Sequence, residues 1–358
     1  MHRRLLSGLA VLILLSSPPP AHACAPAPPE GQHVDIADEE ALIVWDPAAG
    51  MEHFVRRARF RSSAADFGFL VPTPARPTLA EAPDAVFGSL ARAIEPEVVM
   101  RKRWVVEPVP LLFWPVFFLR GAPPRALPPA GAVRVLETRR VAGYDAAVLQ
   151  ADDARALLGW LRSHGYAARP ELLEWLKPYV ERKWIVTAFR VAAGGEGPDE
   201  IATSAVRMSF ETEKPFFPYR EPADQRGGPG PRRSLRVFAV APSRLEGRVG
   251  NDGPWAGKLL YARPRGGLAT LLEGAVPGLP GAAAPWLLAW EDGSTPRPGT
   301  DDLFFSPARD QAPVVPPPIV VDNPQVFPLP VDVIAALVLG VWWLRRRARR
   351  RAARLIPS

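Results

Sequence analysis

A strand-rich α+β domain with a few helices, held outside the cytoplasm by one C-terminal transmembrane helix, is the architecture the sequence predicts. Three observations lead there. Proline supplies 44 of the 358 residues, more than twice average usage, which disfavours an all-helical protein and favours strands, turns and extended connectors. Short β-rich runs alternate with a few segments of helical spacing. An apolar segment flanked by arginine marks each end of the chain.

The N-terminal end reads as a secretory signal over residues 1–23. Arg3 and Arg4 precede an apolar run from Leu5 to Leu15, and Ala21-His22-Ala23 supplies the small-x-small pattern of a cleavage site. Cleavage between Ala23 and Cys24 is expected. Cys24 would then be the first mature residue and a possible point of lipid attachment, although Ala21 and His22 depart from the usual lipoprotein pattern. As the only cysteine, Cys24 allows no intramolecular disulfide. Its proline-rich surroundings offer nothing to activate a thiol.

Between the ends, ALIVW (41–45), FVRRARF (54–60) and DFGFLV (66–71) read as strands. Asp84 is placed to cap a helix carrying Val86, Phe87, Leu90 and Ile94. Ala154, Leu157, Leu158 and Leu161 follow helical spacing behind Asp152 and Asp153. Gly165 closes that helix, Pro170 opens another, and Pro178 ends or kinks it. Strands are expected at 183–191, 203–210 and 234–241. Breaks at 121–131 and 221–233 divide the body into a domain over 24–220 and a strand-rich part over 234–310, of the same domain or a second one. Residues 311–325 read as a proline-rich stalk.

Val326 to Leu344 reads as the membrane anchor. Nineteen residues make a helix of about 28 Å, close to the ~30 Å hydrocarbon core. Arg345, Arg346 and Arg347 begin a basic tail (345–358) that the positive-inside rule keeps in the cytoplasm, and Trp342 and Trp343 suit the interface. A buried core helix is the competing reading, because the uninterrupted apolar stretch spans only 333–344.

The net charge of +7 belongs to the ends. Setting aside the nine arginines of the two terminal segments leaves 35 basic against 37 acidic residues, and no nucleic-acid-binding motif remains in that neutral body. His33, His53 and His164 are scattered, with neither HExxH nor a Cys pair, so no metal site and no cofactor is expected. GNDGPWAGK (250–258) lacks phosphate-loop spacing and reads as a turn, and no G-x-S-x-G is present. Three features invite a functional reading. Glu211 and Glu213 share a strand face, and Asp301 and Asp302 are adjacent, but solvated carboxylates show the same spacing. Arg57, Arg59 and Arg61 line one strand face, fit for an anionic polymer or headgroup, or for the wet side of a half-buried sheet. WVVEPVPLLFWPVFFL (104–119) is too short and proline-rich to span a membrane and reads as core or as an apolar contact surface.

FGFLVPTPARP (67–77), residues 135–166, YVERKWIVTAFRV (179–191) and DDLFFSPARD (301–310) occur in an order that resembles the bacterial exported proteins catalogued as domain of unknown function 2330. The resemblance extends over roughly residues 24–344. It implies a shared fold and an envelope location, but no activity and no catalytic residues. Members often carry a Gly- and Cys-rich insertion where this chain has the cysteine-free run 104–119, so no disulfide or metal role carries over. Two functions follow as expectations. The first is a membrane-anchored binding or envelope-assembly module without catalysis, its partners the lipid bilayer and an envelope protein or polymer. The second is an envelope hydrolase whose acid–base carboxylates converge on folding.

Overall fold

Alternation along 41–44 sets the first layer. Leu42 and Val44 point to one face of strand β2 (Val34–Asp46), Ala41 and Ile43 to the other, and all four are buried. A strand covered on both faces belongs inside a sheet. β2 lies inside an eight-stranded sheet of order β15 (Lys258–Pro264), β16 (Trp286–Asp292), β12 (Ser234–Ala241), β2, β3 (Met51–Ser62), β10 (Val206–Glu211) and β5 (Thr78–Glu81), with β9 (Ile201–Ala202) also paired to β3. Only β12 and β2 run parallel; the other pairs are antiparallel.

The computed structural model describes residues 25–27, 34–62, 67–109, 142–166, 168–191, 201–226, 234–277, 285–294 and 297–352. The expected signal and its Ala23–Cys24 junction lie outside the described residues, as do 110–131 and 227–233. The described residues form two compact units, one from residues up to 95 with 142–316, the other from 96–109 with 317–352.

In the larger unit, two four-stranded sheets contribute to one core with the central sheet. One has the order β1 (Ala25–Ala27), β4 (Phe67–Thr73), β8 (Ile185–Val191), β7 (Tyr144–Leu149); the other β11 (Phe216–Phe217), β17 (Leu303–Pro307), β13 (Leu245–Val249), β14 (Gly253–Pro254). Phe54 and Phe60 from β3 join Phe69, Phe189 and Phe305 in that core. The opposite face of the central sheet is covered by helices α1 (Ala85–Ala93) and α4 (Leu268–Leu272). Helices α2 (Ala154–Ser163) and α3 (Pro170–Glu181) pack on Leu70, Val186 and Ala188 of the β4–β8 pair. β12 stands beside β2, so residues on either side of the 221–233 break enter the same sheet.

The helix ends obey local chemistry. Asp153 caps α2 by accepting from the Ala156 N–H at 2.8 Å, and Gly165 follows at φ +81°. Asp84 departs from expectation. Its carboxylate accepts from the Ala205 N–H at 2.7 Å and makes no cap bond, which ties α1 to the strand beneath. Pro178 neither ends nor visibly divides α3, which continues to Glu181.

The smaller unit is a parallel ribbon of β6 (Val98–Val109) and β18 (Ile319–Pro330), followed by helix α5 (Val331–Ala352). This corrects the expected span at Val326–Leu344, because residues 326–330 are strand. Pro328 and Pro330 each bias the preceding residue away from helical geometry, and the helix starts directly after the second. Among the described residues no helix is long and apolar enough to cross a membrane. The expected stalk is likewise divided. Val314 and Ala262 exchange two backbone hydrogen bonds at 2.7 and 2.8 Å, and Gln311 bonds the carbonyls of Arg244 and Ala308, so residues 308–314 lie against the larger unit. From Ile319 onward the chain is β18.

Candidate functional site

Several connections of the larger unit end around one cleft of about 810 Å³, the β4–β5 loop at Pro74 and Ala75 among them. The β2–β3 turn brings Ala49 and Gly50, the α3–β8 connection Arg182 and Trp184, the end of β10 residues 211–214, and the third sheet Gly250, Asn251, Asp301 and Phe304. Each is pinned from within. Gly50 adopts φ +60° and its carbonyl accepts the Thr212 N–H at 2.9 Å, fixing the end of β10 against the turn. Trp184 follows Lys183, a non-glycine residue at φ +59°, and its N–H donates to the Tyr179 carbonyl. Gly250, at φ +62°, donates to the Asp302 carbonyl at 2.8 Å, and a β-carbon there would stand 3.0 Å from an Asp301 oxygen.

Two aromatic rings and mixed charges form the walls. Trp184 meets the buried Phe216 edge-on at 5.2 Å, and Phe216 lies 6.1 Å from Phe304, so the two half-buried rings rest on a shared aromatic base. Arg182 stands over Trp184 at 5.8 Å and Lys214 over Phe304 at 4.6 Å. Glu211, Glu213 and Asp301 complete the rim. Asp301 also accepts the Asp302 N–H at 2.8 Å.

Behind these residues lie enclosed carboxylates. Burial raises the Asp302 pKa to about 7, and its oxygen accepts the Tyr179 hydroxyl at 3.0 Å and the Arg220 N–H at 3.3 Å. Burial pushes the Glu52 carboxyl well up, against a hydrogen bond from the Phe216 N–H. Burial also opposes ionisation of Asp292, but hydrogen bonds from Ser294 and Tyr219 and the charge of Arg297 outweigh it and hold that carboxyl low. Trp255 donates to the same carboxylate at 2.9 Å. Arg56 and Glu39 pair at 2.7 Å with neither side chain exposed beyond 1%, and Arg297 stands 3.8 Å from Glu39 and 3.9 Å from Glu221.

The structure sorts the residues singled out in the sequence. Glu211 closes β10, Glu213 falls in the following bend, and both reach the cleft together with Asp301, whereas Asp302 is turned into the protein. Arg57 pairs with Glu40 and Arg59 with Asp38 across the β2–β3 register, which makes this the ion-paired outer side of a sheet; the Arg61 side chain lies outside the described residues. His53 bonds Ser209 at 2.8 Å, and burial followed by the nearby Arg207 charge lowers its pKa. His164 stacks on Trp160 at 3.8 Å and its Nδ1 reaches the Trp160 carbonyl at 2.8 Å, a cap at the end of α2. Residues 250–258 turn around Trp255, whose ring lies where a β-carbon on Gly257 would be. No group of three or more His, Cys, Asp or Glu fit to hold a metal occurs among the described residues. Of the 104–119 run, 104–109 belong to β6, with Trp104 and Val105 exposed; the rest lies outside the described residues.

Trp184, Phe304, Arg182 and Lys214 were not singled out by sequence reasoning. Their only signal is that 179–191 and 301–310, two stretches carrying the family resemblance, supply three of them. Residues 18–269 match the model of a family described as an uncharacterized protein conserved in bacteria, DUF2330. The chain belongs to this family. No curated protein and no solved structure matches it. The DUF2330 match covers Gly50, Arg182, Trp184 and residues 211–214 of the cleft and stops before Asp301 and Phe304. It also stops short of β18 and α5, so it says nothing of an anchor.

Proposed function

We propose that this DUF2330 protein is a membrane-anchored extracytoplasmic binding module, and that the cleft between Gly50 and Phe304 is its binding surface. The observation that carries the reading is the pairing of two half-buried aromatic rings with charges of both signs on a floor that folding has already fixed. Sites of this kind are concave, largely pre-formed, and oriented by a few polar groups. Of the carboxylates that burial raises, Glu52 and Asp302 are enclosed and committed to backbone and tyrosine hydrogen bonds, and the half-buried Asp224 is paired with Arg169 outside the cleft lining. That favours binding over acid–base chemistry, which wants such a group open to substrate.

Attachment to the bilayer is supported by α5, whose Leu337, Val338 and Leu339 are each more than 60% exposed, and by the arginines that follow it. Its apolar part, 331–344, is only about 21 Å long. The reading therefore has the arginines and Trp342–Trp343 settle in the headgroup layer.

The test is retention from envelope extract by the full-length protein purified from membranes, compared with a Trp184→Ala variant. Retention that depends on Trp184, with the retained component recovered chemically unchanged, is expected. Recovery of a cleaved component would replace this reading with the hydrolase. Retention indifferent to Trp184 would remove the cleft from the account.

A further inference from the structure

Building on the binding reading above, we infer that the cleft takes an uncharged, hydroxyl-rich saccharide chain. The charges on its rim carry the selection. Glu211, Glu213 and Asp301 face an occupant together with Arg182 and Lys214. An anionic chain meets three carboxylates, and a cationic chain meets two cations that already stand over the aromatic rings. A neutral polyol avoids both costs. Its hydroxyls donate to the carboxylates, which only accept, and accept from lysine and arginine, which only donate. Its C–H faces pack against the parts of Trp184 and Phe304 that line the cleft, both rings half-buried and held by Phe216, once Arg182 and Lys214 turn from the rings to its hydroxyls.

Backbone geometry argues against the other neutral polymer, an extended peptide. Peptide chains of that kind are commonly bound by adding a strand to an open sheet edge. The strands that reach this cleft offer too little, because β10 is flanked by β3 and, up to Ser209, by β5, which leaves only Phe210 and Glu211 open on one side, and β17 is flanked by β11 and β13 at Leu303 and Phe304. Recognition is left to side chains and turns, which suits rings and hydroxyls.

The full-length protein, in a detergent without a sugar head group, is titrated with five probes by calorimetry: cellohexaose, chitohexaose, an oligogalacturonate, a chitosan hexamer and a capped Gly-Ser octapeptide. Cellohexaose or chitohexaose should bind, and Trp184→Ala should weaken that binding about tenfold, the loss of one stacking ring. Lys214→Glu, at an exposed position, should weaken the neutral sugars and admit the cationic chitosan, while Arg59→Ala leaves all five titrations unchanged. Should Trp184→Ala fail to fold, the exchange of preference in Lys214→Glu decides alone. If the peptide or a charged probe binds in a Trp184- or Lys214-dependent way and neither neutral sugar does, the saccharide inference is overturned and the binding reading stands. If no probe shows binding that either substitution alters, the saccharide inference is overturned, and the envelope-extract retention decides the binding reading independently.

Discussion

The Tyr179 hydroxyl donates to the buried Asp302 carboxylate at 3.0 Å and so joins helix α3 to the residue that opens strand β17. The same oxygen takes the Arg220 N–H, while the other carboxylate oxygen has no hydrogen-bond partner among the described residues. One carboxyl thus braces three segments at the back of the cleft.

This brace makes stability depend on pH. The folded pKa of Asp302 is raised to about 7 from 3.8, chiefly by burial, so between those values the folded state holds a proton that the unfolded chain has released. This group's contribution to stability is full below about pH 4, falls as pH rises towards 7, by at most a few kcal/mol, and levels off above. Asp302→Asn should flatten this slope and be the more stable chain at pH 8, by about 1–3 kcal/mol. Urea unfolding at pH 5 and pH 8 measures it. Glu52, raised in the same direction by burial, should leave a residual slope that Glu52→Gln removes.

Arg56 and Glu39 form an ion pair with no access to water, and the Arg56 guanidinium lies 4.7 Å from the centre of the Phe69 ring. Removing Arg56 takes away the 2.7 Å contact of a fully buried Glu39 and leaves Arg297, at 3.8 Å, to face both Glu39 and Glu221. Arg56→Met should cost about 3–5 kcal/mol, whereas Arg59→Ala, at an exposed pair with Asp38, should cost less than about 1 kcal/mol. Denaturant midpoints of the two variants should differ accordingly.

Gly68 in β4 lies under the Tyr166 ring, where a β-carbon would come within 2.2 Å of a ring atom. Gly68→Ala should displace that ring and destabilise the protein by about 1–3 kcal/mol. Adding Tyr166→Ala should return part of the loss, because the clash goes with the ring. A double-mutant cycle on thermal unfolding measures the coupling.

Deletion of 331–358 should release the protein from membranes, and protease added to spheroplasts should spare a tag at Ser358. A digested tag with the protein still membrane-bound would place α5 on the surface of the bilayer rather than through it. A deleted form that stays bound would point to Cys24. N-terminal sequencing of the mature chain should begin at that residue.

Local pattern made much of this fold legible. The runs at 41–45 and 54–60 and the described part of the third, 67–71, fall in strands, and the spacing of Leu157, Leu158 and Leu161 marks the buried face of α2. Asp301 and Asp302 look alike in sequence, yet the turn at Gly250 leaves one on the rim and buries the other. The cleft itself was not legible, because Gly50, Trp184, Glu213 and Phe304 meet only through three sheets. At the C-terminus, apolar composition masked the two prolines that delay the helix to Val331.

Parallel pairing of β6 with β18 joins residues 221 positions apart, as in the Arg101–Asp322 pair. During synthesis at ~5–20 residues per second, β6 therefore waits roughly 10–45 s for its partner. Throughout that interval Val98, Val99, Met100, Trp104 and Val105 belong to an unpaired strand, the kind of segment on which nascent chains aggregate. Arg101, Lys102 and Arg103 interrupt that apolar run and act as its gatekeepers. Their replacement by alanine would show first as lost yield during expression, before any change in the finished protein.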